Sequence, residues 1–170
     1  MKSRLVAPMQ LNQKIIINAP KAQVWEVFND QSLLPKWTHD VQSTTYDDRM
    51  ASPGNLRKNN CIVNGKVGKI ETRCVAMSGK DRAEFVVEHD TFGMTKMLLN
   101  MSFAAEFHAL ENNKTAFIMQ SHYSPKNFLV KLMNPLIKKK MGNAVNIMNL
   151  GLKNFIETGE PNKLNPVNRK

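Results

Sequence analysis

The sequence predicts an α+β domain in which one antiparallel sheet packs against a long C-terminal helix. Three observations lead to this class. A β-branched strand signal opens the chain, a period of two with recurring turn signals runs from residue 38 to residue 123, and a helical period runs from residue 129 to residue 156. A chain of 170 residues lies below the length at which hydrophobic cores usually divide, so we expect one domain.

The opening of the chain predicts a strand followed by two short helices. Residues 11–19 contain three consecutive isoleucines, and Pro20 follows them where a helix can begin. A second helical stretch is predicted over residues 32–37, with Pro35 near its first turn. The first helix is indicated by apolar side chains at helical spacing: Ala22, Val24, Trp25 and Phe28.

The middle of the chain predicts a meander of antiparallel strands. Turn signals such as Asn64-Gly65 and Ser78-Gly79 separate segments in which apolar and polar residues alternate. Residues 82–91 and 114–123 alternate in this way. The clearest strand is predicted over residues 96–108, with one almost wholly apolar face: Met97, Leu99, Met101, Phe103, Ala105 and Phe107.

The end of the chain predicts an amphipathic helix over residues 129–156. Pro135 follows Asn134 and predicts a break or a kink, with a short first piece and a long second one starting near Pro135. Gly159 is a stop signal. We therefore expect an N-terminal extension over residues 1–9, a domain over 10–159 and a flexible C-terminal tail over 160–170.

Two segments resemble a known superfamily. They are IINAPKAQVWEVFNDQSLLPKW at residues 16–37 and GLKNF at residues 151–155. Both are similar to the START-like superfamily called SRPBCC, which includes polyketide cyclase/dehydrase-like proteins, lipid-transfer START domains and birch-pollen-allergen-like proteins. The resemblance implies the helix-grip fold: a curved seven-stranded antiparallel sheet around a long C-terminal helix, with two short helices after the first strand and a cavity between sheet and helix. It carries no shared catalytic set.

Alternation and the resemblance together predict which residues line that cavity. The apolar strand face needs an apolar partner, and the helical stripe is the large apolar surface that remains. Methionines concentrate in both elements; flexible thioethers suit an adaptable apolar site, although they also fill ordinary cores. The predicted lining consists of Trp37, Phe85, Val87, His89, Met97, Leu99, Met101, Phe103, Met119, Tyr123, Met141, Val145 and Met148.

No catalytic residue, metal site or cofactor is predicted. The four histidines fall on different elements and lack the spacing of zinc ligands. Cys61 and Cys74 lack a nucleophile motif, and we expect both to be buried and structural. No phosphate-binding loop is present.

The sequence does not decide whether three polar side chains point into the cavity or into solvent. Lys69, Glu71 and Arg73 share one strand face, which favours a solvated, mutually paired row. If that face points inward instead, Arg73 would anchor a carboxylate or phosphate head group. The sequence also leaves open whether His39 and His89 point into the cavity.

The net charge of +10 is concentrated at one end of the chain. Residues 126–170 carry nine Lys and Arg against two Asp and Glu, a net of +7, whereas residues 1–125 carry a net of +3. Lys131 and the triplet Lys138, Lys139 and Lys140 project from the last helix and form a candidate docking patch for an anionic membrane or an acidic partner. Aromatic residues are not interleaved with these lysines, so nucleic acid is an unlikely partner.

The primary hypothesis is a carrier or sensor that binds an apolar or amphipathic, lipid-like small molecule. The resemblance implies two alternatives. One is an enzyme of the polyketide cyclase/dehydratase kind, in which a cavity His, Tyr or Arg orients a carbonyl and moves a proton, with His39, His89 and Tyr123 as the candidates. The other is a membrane-docked chaperone for a quinone-type lipid. A cytoplasmic location is expected, because no apolar run approaches the roughly 18 residues of a membrane span and no signal-peptide block opens the chain.

Overall fold

A computed structural model describes residues 5–168. The predicted N-terminal extension and C-terminal tail therefore fall partly outside the described residues, at 1–4 and 169–170. In chain order the elements are β1 (Met9–Ile17), α1 (Lys21–Asn29), a 3₁₀ turn (Gln31–Leu33), α2 (Leu34–Trp37), β2 (Val41–Tyr46), β3 (Leu56–Val63), β4 (Lys66–Ser78), β5 (Arg82–Asp90), α3 (Met94–Met97), β6 (Leu98–Leu110), β7 (Lys114–Pro125), α4 (Phe128–Thr158) and a 3₁₀ turn (Pro166–Asn168).

The seven strands form one curved antiparallel sheet in the order β1-β7-β6-β5-β4-β3-β2. Neighbouring strands from β2 to β7 follow one another along the chain, whereas β1 crosses over to pair with β7. The long helix α4 packs against β1, β7 and α2. This is the helix-grip fold, and it confirms the predicted class.

An aromatic cluster fills the core beneath α1 and α2. The ring centre of Phe28 lies 5.4 Å from those of Phe107 and Phe117, 5.9 Å from that of Trp37 and 6.2 Å from that of Phe85. Most of these pairs meet edge-on or tilted, which suits the quadrupoles of the rings. The two short helices therefore close one end of the space between sheet and α4.

The helix α4 runs unbroken through Pro135, so the predicted division into two pieces is wrong. Proline removes one main-chain donor and leaves the carbonyl of Lys131 without its usual helical partner. That part of the helix is exposed, where solvent can satisfy the carbonyl. Asn134, beside the proline, accepts a hydrogen bond of 2.8 Å from the Tyr123 hydroxyl, which ties this part of the helix to β7.

The apolar stripe of α4 is buried along only part of its length. Val130, Leu152 and Ile156 are buried against the sheet and the short helices. The first two turns instead carry large apolar side chains that are between 50% and 71% exposed. We call this set the α4 apolar patch: Phe128, Leu129, Leu132, Met133 and Leu136.

Residues 160–168 pack against α2, although the sequence predicted a flexible tail there. Asn165 is fully buried, and Asn162 donates from its carboxamide nitrogen to the carbonyl of Trp37 at 3.1 Å. Asparagine side chains satisfy the main-chain carbonyls at the end of α2, which a short helix leaves without partners. The segment is thus an integral part of the fold as far as residue 168.

Candidate functional site

A cavity of about 200 Å³ lies between the sheet and α4, with the short helices at one end. Its wall is mainly apolar, and methionines from four different elements line it. The structure places nine of the thirteen predicted lining residues on this wall: Trp37, Val87, Met101, Phe103, Met119, Tyr123, Met141, Val145 and Met148.

Four predicted lining residues lie elsewhere. Phe85 is fully buried and stacks on Phe103, with ring centres 5.0 Å apart, so it supports the wall from behind. His89, Met97 and Leu99 are exposed at the surface. The prediction that these four line the cavity is therefore corrected.

Two irregularities in the strands explain why His89, Met97 and Leu99 are exposed. On β5 the pairing with β4 skips Glu88, because Glu71 pairs with His89 while Thr72 pairs with Val87. Such a bulge inverts the alternation, so Val87 points inward and His89 outward. The prediction had assumed a regular strand.

The second irregularity precedes the regular part of β6. Met97 closes the helical turn α3 instead of belonging to a strand. Asn100 then adopts a left-handed backbone conformation with φ of +52°, and the β6–β7 pairing shifts by one residue between Leu99 and Ser102. Asparagine tolerates this conformation better than most residues. The apolar face predicted for residues 97–107 is consequently continuous only from Met101 onward.

A buried arginine is the most distinctive polar group of the cavity wall. Arg57 points inward from β3 and is only 8% exposed. Its guanidinium carbon lies 4.9 Å from the ring centre of Phe85 and 5.8 Å from that of Phe103. Burial lowers its pKa to about 10, and no carboxylate of residues 5–168 raises it. An arginine in an apolar wall normally forms an ion pair with an acidic side chain. The absence of such a partner within residues 5–168 distinguishes Arg57 from an ordinary buried arginine.

Sequence reasoning missed Arg57, although a signal was available. Cys61 was expected to be buried, and strand alternation then places Asn59 and Arg57 on the same inward face. Lys58 and Asn60, between them, are exposed as this alternation requires.

Three further buried polar atoms at the wall have no hydrogen-bond partner within residues 5–168. They are Nε1 of Trp37, Oδ1 of Asn59 and Nε2 of His122. The other ring nitrogen of His122 lies 3.1 Å from the carbonyl oxygen of Ala7, which orients the imidazole. The wall thus offers a ligand donors and acceptors as well as apolar surface.

Asp40 also lines the cavity, near the end of α2. Burial raises its pKa, and the nearby imidazole of His39 only partly opposes this effect. His39 itself is not on the wall. Tyr123 is on the wall, where burial raises the pKa of its hydroxyl, and that hydroxyl donates to Asn134.

Arg73 lies on the outer face of the sheet. It forms a two-pronged ion pair with Glu88, at 2.5 and 3.0 Å, and donates to the carbonyl of Gly54 at 2.7 Å. Glu71 pairs with Lys58 of the neighbouring strand at 3.5 Å. Glu71 and Arg73 therefore pair with residues of the neighbouring strands and not with each other, and Arg73 is not an anchor inside the cavity.

Within residues 5–168, no three His, Cys, Asp or Glu side chains come together as a metal-binding group. No helix in that part of the chain combines the length and the apolar character needed to span a membrane.

Comparisons with known proteins place this geometry in context. The model of the family described as polyketide cyclase/dehydrase and lipid transport matches residues 8–153. A search of curated proteins finds no match to the sequence.

Solved structures resemble the fold at low sequence identity. A START superfamily protein from Mycobacterium smegmatis is 11% identical with a TM-score of 0.70, over 88% of this chain and 98% of that one. A protein from Nitrosospira multiformis is 12% identical with a TM-score of 0.69, over 89% and 98%. A truncated norcoclaurine synthase from Thalictrum flavum is 10% identical with a TM-score of 0.69, over 92% and 99%. These likenesses concern the fold.

Proposed function

Because the chain belongs to the polyketide cyclase/dehydrase and lipid transport family within the START-like superfamily, we propose that it binds an apolar or amphipathic small molecule as a carrier or sensor. Members of this family bind hydrophobic ligands. One observation carries the proposal to this chain: a cavity of about 200 Å³ separates Met141, Val145 and Met148 of α4 from the facing sheet. Filling it would remove apolar wall from water at about 25 cal/mol per Å².

The volume limits the ligand's size. A cavity of roughly 150 Å³ is enough for one benzene ring, and drug-sized ligands occupy roughly 300 Å³ or more. A cavity of about 200 Å³ therefore fits a single aromatic ring with a short substituent, or a short aliphatic chain. A longer lipid would have to extend beyond this space or move α4 away from the sheet.

Two measurements test this proposal. Native mass spectrometry of the protein purified without detergent looks for a co-purifying ligand, and calorimetric titration measures the binding of 3-phenylpropanamide, an uncharged amphipathic probe. Val145→Phe fills the cavity and should abolish binding. Ala144→Phe adds a ring to the exposed side of the same helix and should leave binding unchanged. Equal binding by both variants and the unmodified protein would show that the probe does not occupy this cavity.

The cyclase/dehydratase alternative depended on His39, His89 and Tyr123. Of these, only Tyr123 lies on the cavity wall, and its hydroxyl already donates to Asn134. No observation in the cavity favours a particular proton transfer, so we do not propose turnover.

A second candidate function, delivery to an anionic membrane, is favoured by the α4 apolar patch. Lys139 and Lys140 lie three and four residues after Leu136, which places them on the same side of the helix as the patch. Both lysines are exposed, as is Lys131, whereas Lys138 is half-buried. Apolar side chains flanked by lysines match an anionic lipid surface in both polarity and charge.

Each lysine contributes about 1 kcal/mol near an anionic surface, so docking should be weak and salt-sensitive. Co-sedimentation with phosphatidylcholine vesicles containing phosphatidylglycerol tests it. The double variant Lys139→Glu, Lys140→Glu should lose binding, whereas Lys66→Glu, Lys69→Glu at the exposed start of β4 has the same net charge and should retain it. Binding that persists in the first variant, or that ignores salt, contradicts membrane docking.

A further inference from the structure

Arg57 lies in the cavity wall under conditions that are costly for a lone charge. Its side chain is more than nine-tenths buried, and its Nε has no hydrogen-bond partner within residues 5–168. A buried charge without a partner destabilises a fold unless something compensates for it. The faces of Phe85 and Phe103 provide part of that compensation through cation–π contact, at 4.9 and 5.8 Å.

Aromatic faces do not satisfy the hydrogen-bond donors of a guanidinium. Five N–H groups lie in the plane of the group, and the ring contacts act above and below that plane. The donors therefore remain available to an acceptor in the cavity, and a carboxylate matches their fork with two parallel hydrogen bonds.

We propose that the cavity selects small amphipathic carboxylates, which bind Arg57 through the carboxylate and the methionine-rich wall through the apolar portion. This inference rests on the proposed binding function and names the ligand class. Asn59, two residues along β3, lines the same cavity.

The charges around the cavity favour a single negative charge on the ligand. Arg57 supplies one positive charge, so a doubly charged phosphate would leave one negative charge unbalanced in a buried site. Asp40 lies on the same wall, and its burial disfavours the ionised form that would repel a carboxylate.

Three probes that differ only at the head group provide the test: 3-phenylpropionate, 3-phenylpropanamide and 3-phenylpropylamine, titrated calorimetrically at pH 7 into the unmodified protein. The carboxylate should bind at least about tenfold more tightly than the amide, and the amine should bind most weakly. Equal affinities for carboxylate and amide overturn the carboxylate preference while leaving the binding function intact. Absence of binding by all three overturns both.

Three variants test whether Arg57 is the source of the carboxylate preference. Arg57→Met keeps a long apolar side chain and should reduce carboxylate affinity to that of the amide without weakening amide binding. Arg57→Lys keeps the charge without the planar fork and should retain only part of the preference. Arg73→Gln removes an arginine from the outer face of the adjacent strand and should change nothing at the cavity. A full carboxylate preference in Arg57→Met would overturn the assignment.

Discussion

Gly151 of α4 packs directly against the carbonyl of Trp37, so closely that a Cβ atom at position 151 would lie 2.1 Å from that oxygen. The carboxamide nitrogen of Asn162 would lie 2.6 Å from the same Cβ. The neighbouring atom is main chain, which cannot rotate away as a side chain can. The glycine therefore permits the crossing of α2 and α4 that closes one end of the cavity.

Gly151→Ala should destabilise the fold by about 1–3 kcal/mol or more, because the added methyl forces the two helices apart. Gly142→Ala, in the same helix, is the matched control. There the added Cβ would lie 3.3 Å from Nε2 of Gln13, which donates to the Gly142 carbonyl at 3.0 Å and would have to shift by only a few tenths of an ångström. Alanine's helix propensity contributes up to about 1 kcal/mol in the opposite direction. Urea unfolding of both variants measures the difference, and equal midpoints would contradict the tight crossing.

Asn165→Ala should lower the free energy of unfolding by about 1–3 kcal/mol. The Asn165 carboxamide nitrogen lies 3.1, 3.2 and 2.6 Å from the carbonyl oxygens of Pro35, Thr38 and Val41, and all three lose this donor in the variant. Asn154→Ala, at an exposed helical position, should leave stability within about 0.5 kcal/mol. Thermal unfolding distinguishes them; an unchanged transition in Asn165→Ala would mean that the C-terminal segment does not hold α2.

Lowering the pH should reduce the stability of the fold, because Asp90 becomes protonated. Burial alone would raise the pKa of this carboxyl, but hydrogen bonds from Thr95 and from the Met94 amide outweigh burial and hold it below its ordinary value of 3.8. Since the pKa is lower in the folded state, the stabilisation is complete well above pH 4 and disappears as the pH falls through the folded-state value.

Asp90→Asn should therefore be less stable than the unmodified protein at pH 7, and the difference should shrink towards pH 3. Urea midpoints at pH 7, 5 and 3 measure it. Glu111→Gln, in the exposed turn between β6 and β7, controls for the change in net charge and should show little difference at any pH. A pH-independent difference for Asp90→Asn would contradict the role of the carboxylate charge.

Both cysteines should resist alkylation in the folded protein. Burial raises the pKa of Cys61 to about 12 and that of Cys74 to about 11, so almost no thiolate is present at pH 8. Iodoacetamide at pH 8 should label neither thiol under native conditions and both in urea, as mass spectrometry would show. Native labelling at the rate of a small-molecule thiol would contradict this burial.

The order of elements was predictable because its signals are local. The alternation around Phe103 and Met119, and the helical spacing of Met141, Val145 and Met148, report which face is buried without knowledge of the partner. The expectation that β-strands and a closing helix oppose one another was confirmed by the fold.

Predictions from the periodicity of the sequence were wrong where the strand backbone is irregular. The bulge at Glu88 and the left-handed Asn100 each shift alternation by one residue, and His89 and Leu99 consequently face outward. Pro135 does not divide α4, because its missing donor falls on an exposed part of the helix and the Tyr123 hydroxyl binds the preceding residue, Asn134. Arg57 is difficult to predict as a cavity residue because a charged side chain normally lies outward, and only the alternation of β3 from the buried Cys61 indicates that it points inward.

The position of Trp37 on the cavity wall gives the molecule an optical reporter of occupancy. The chain has two tryptophans, and Trp25 lies away from the wall, edge-on to Phe107 with ring centres 5.1 Å apart. A molecule entering the cavity would replace the surroundings of one indole and leave the other unchanged. Intrinsic emission, recorded on a Trp25→Phe variant, would then follow binding without any label.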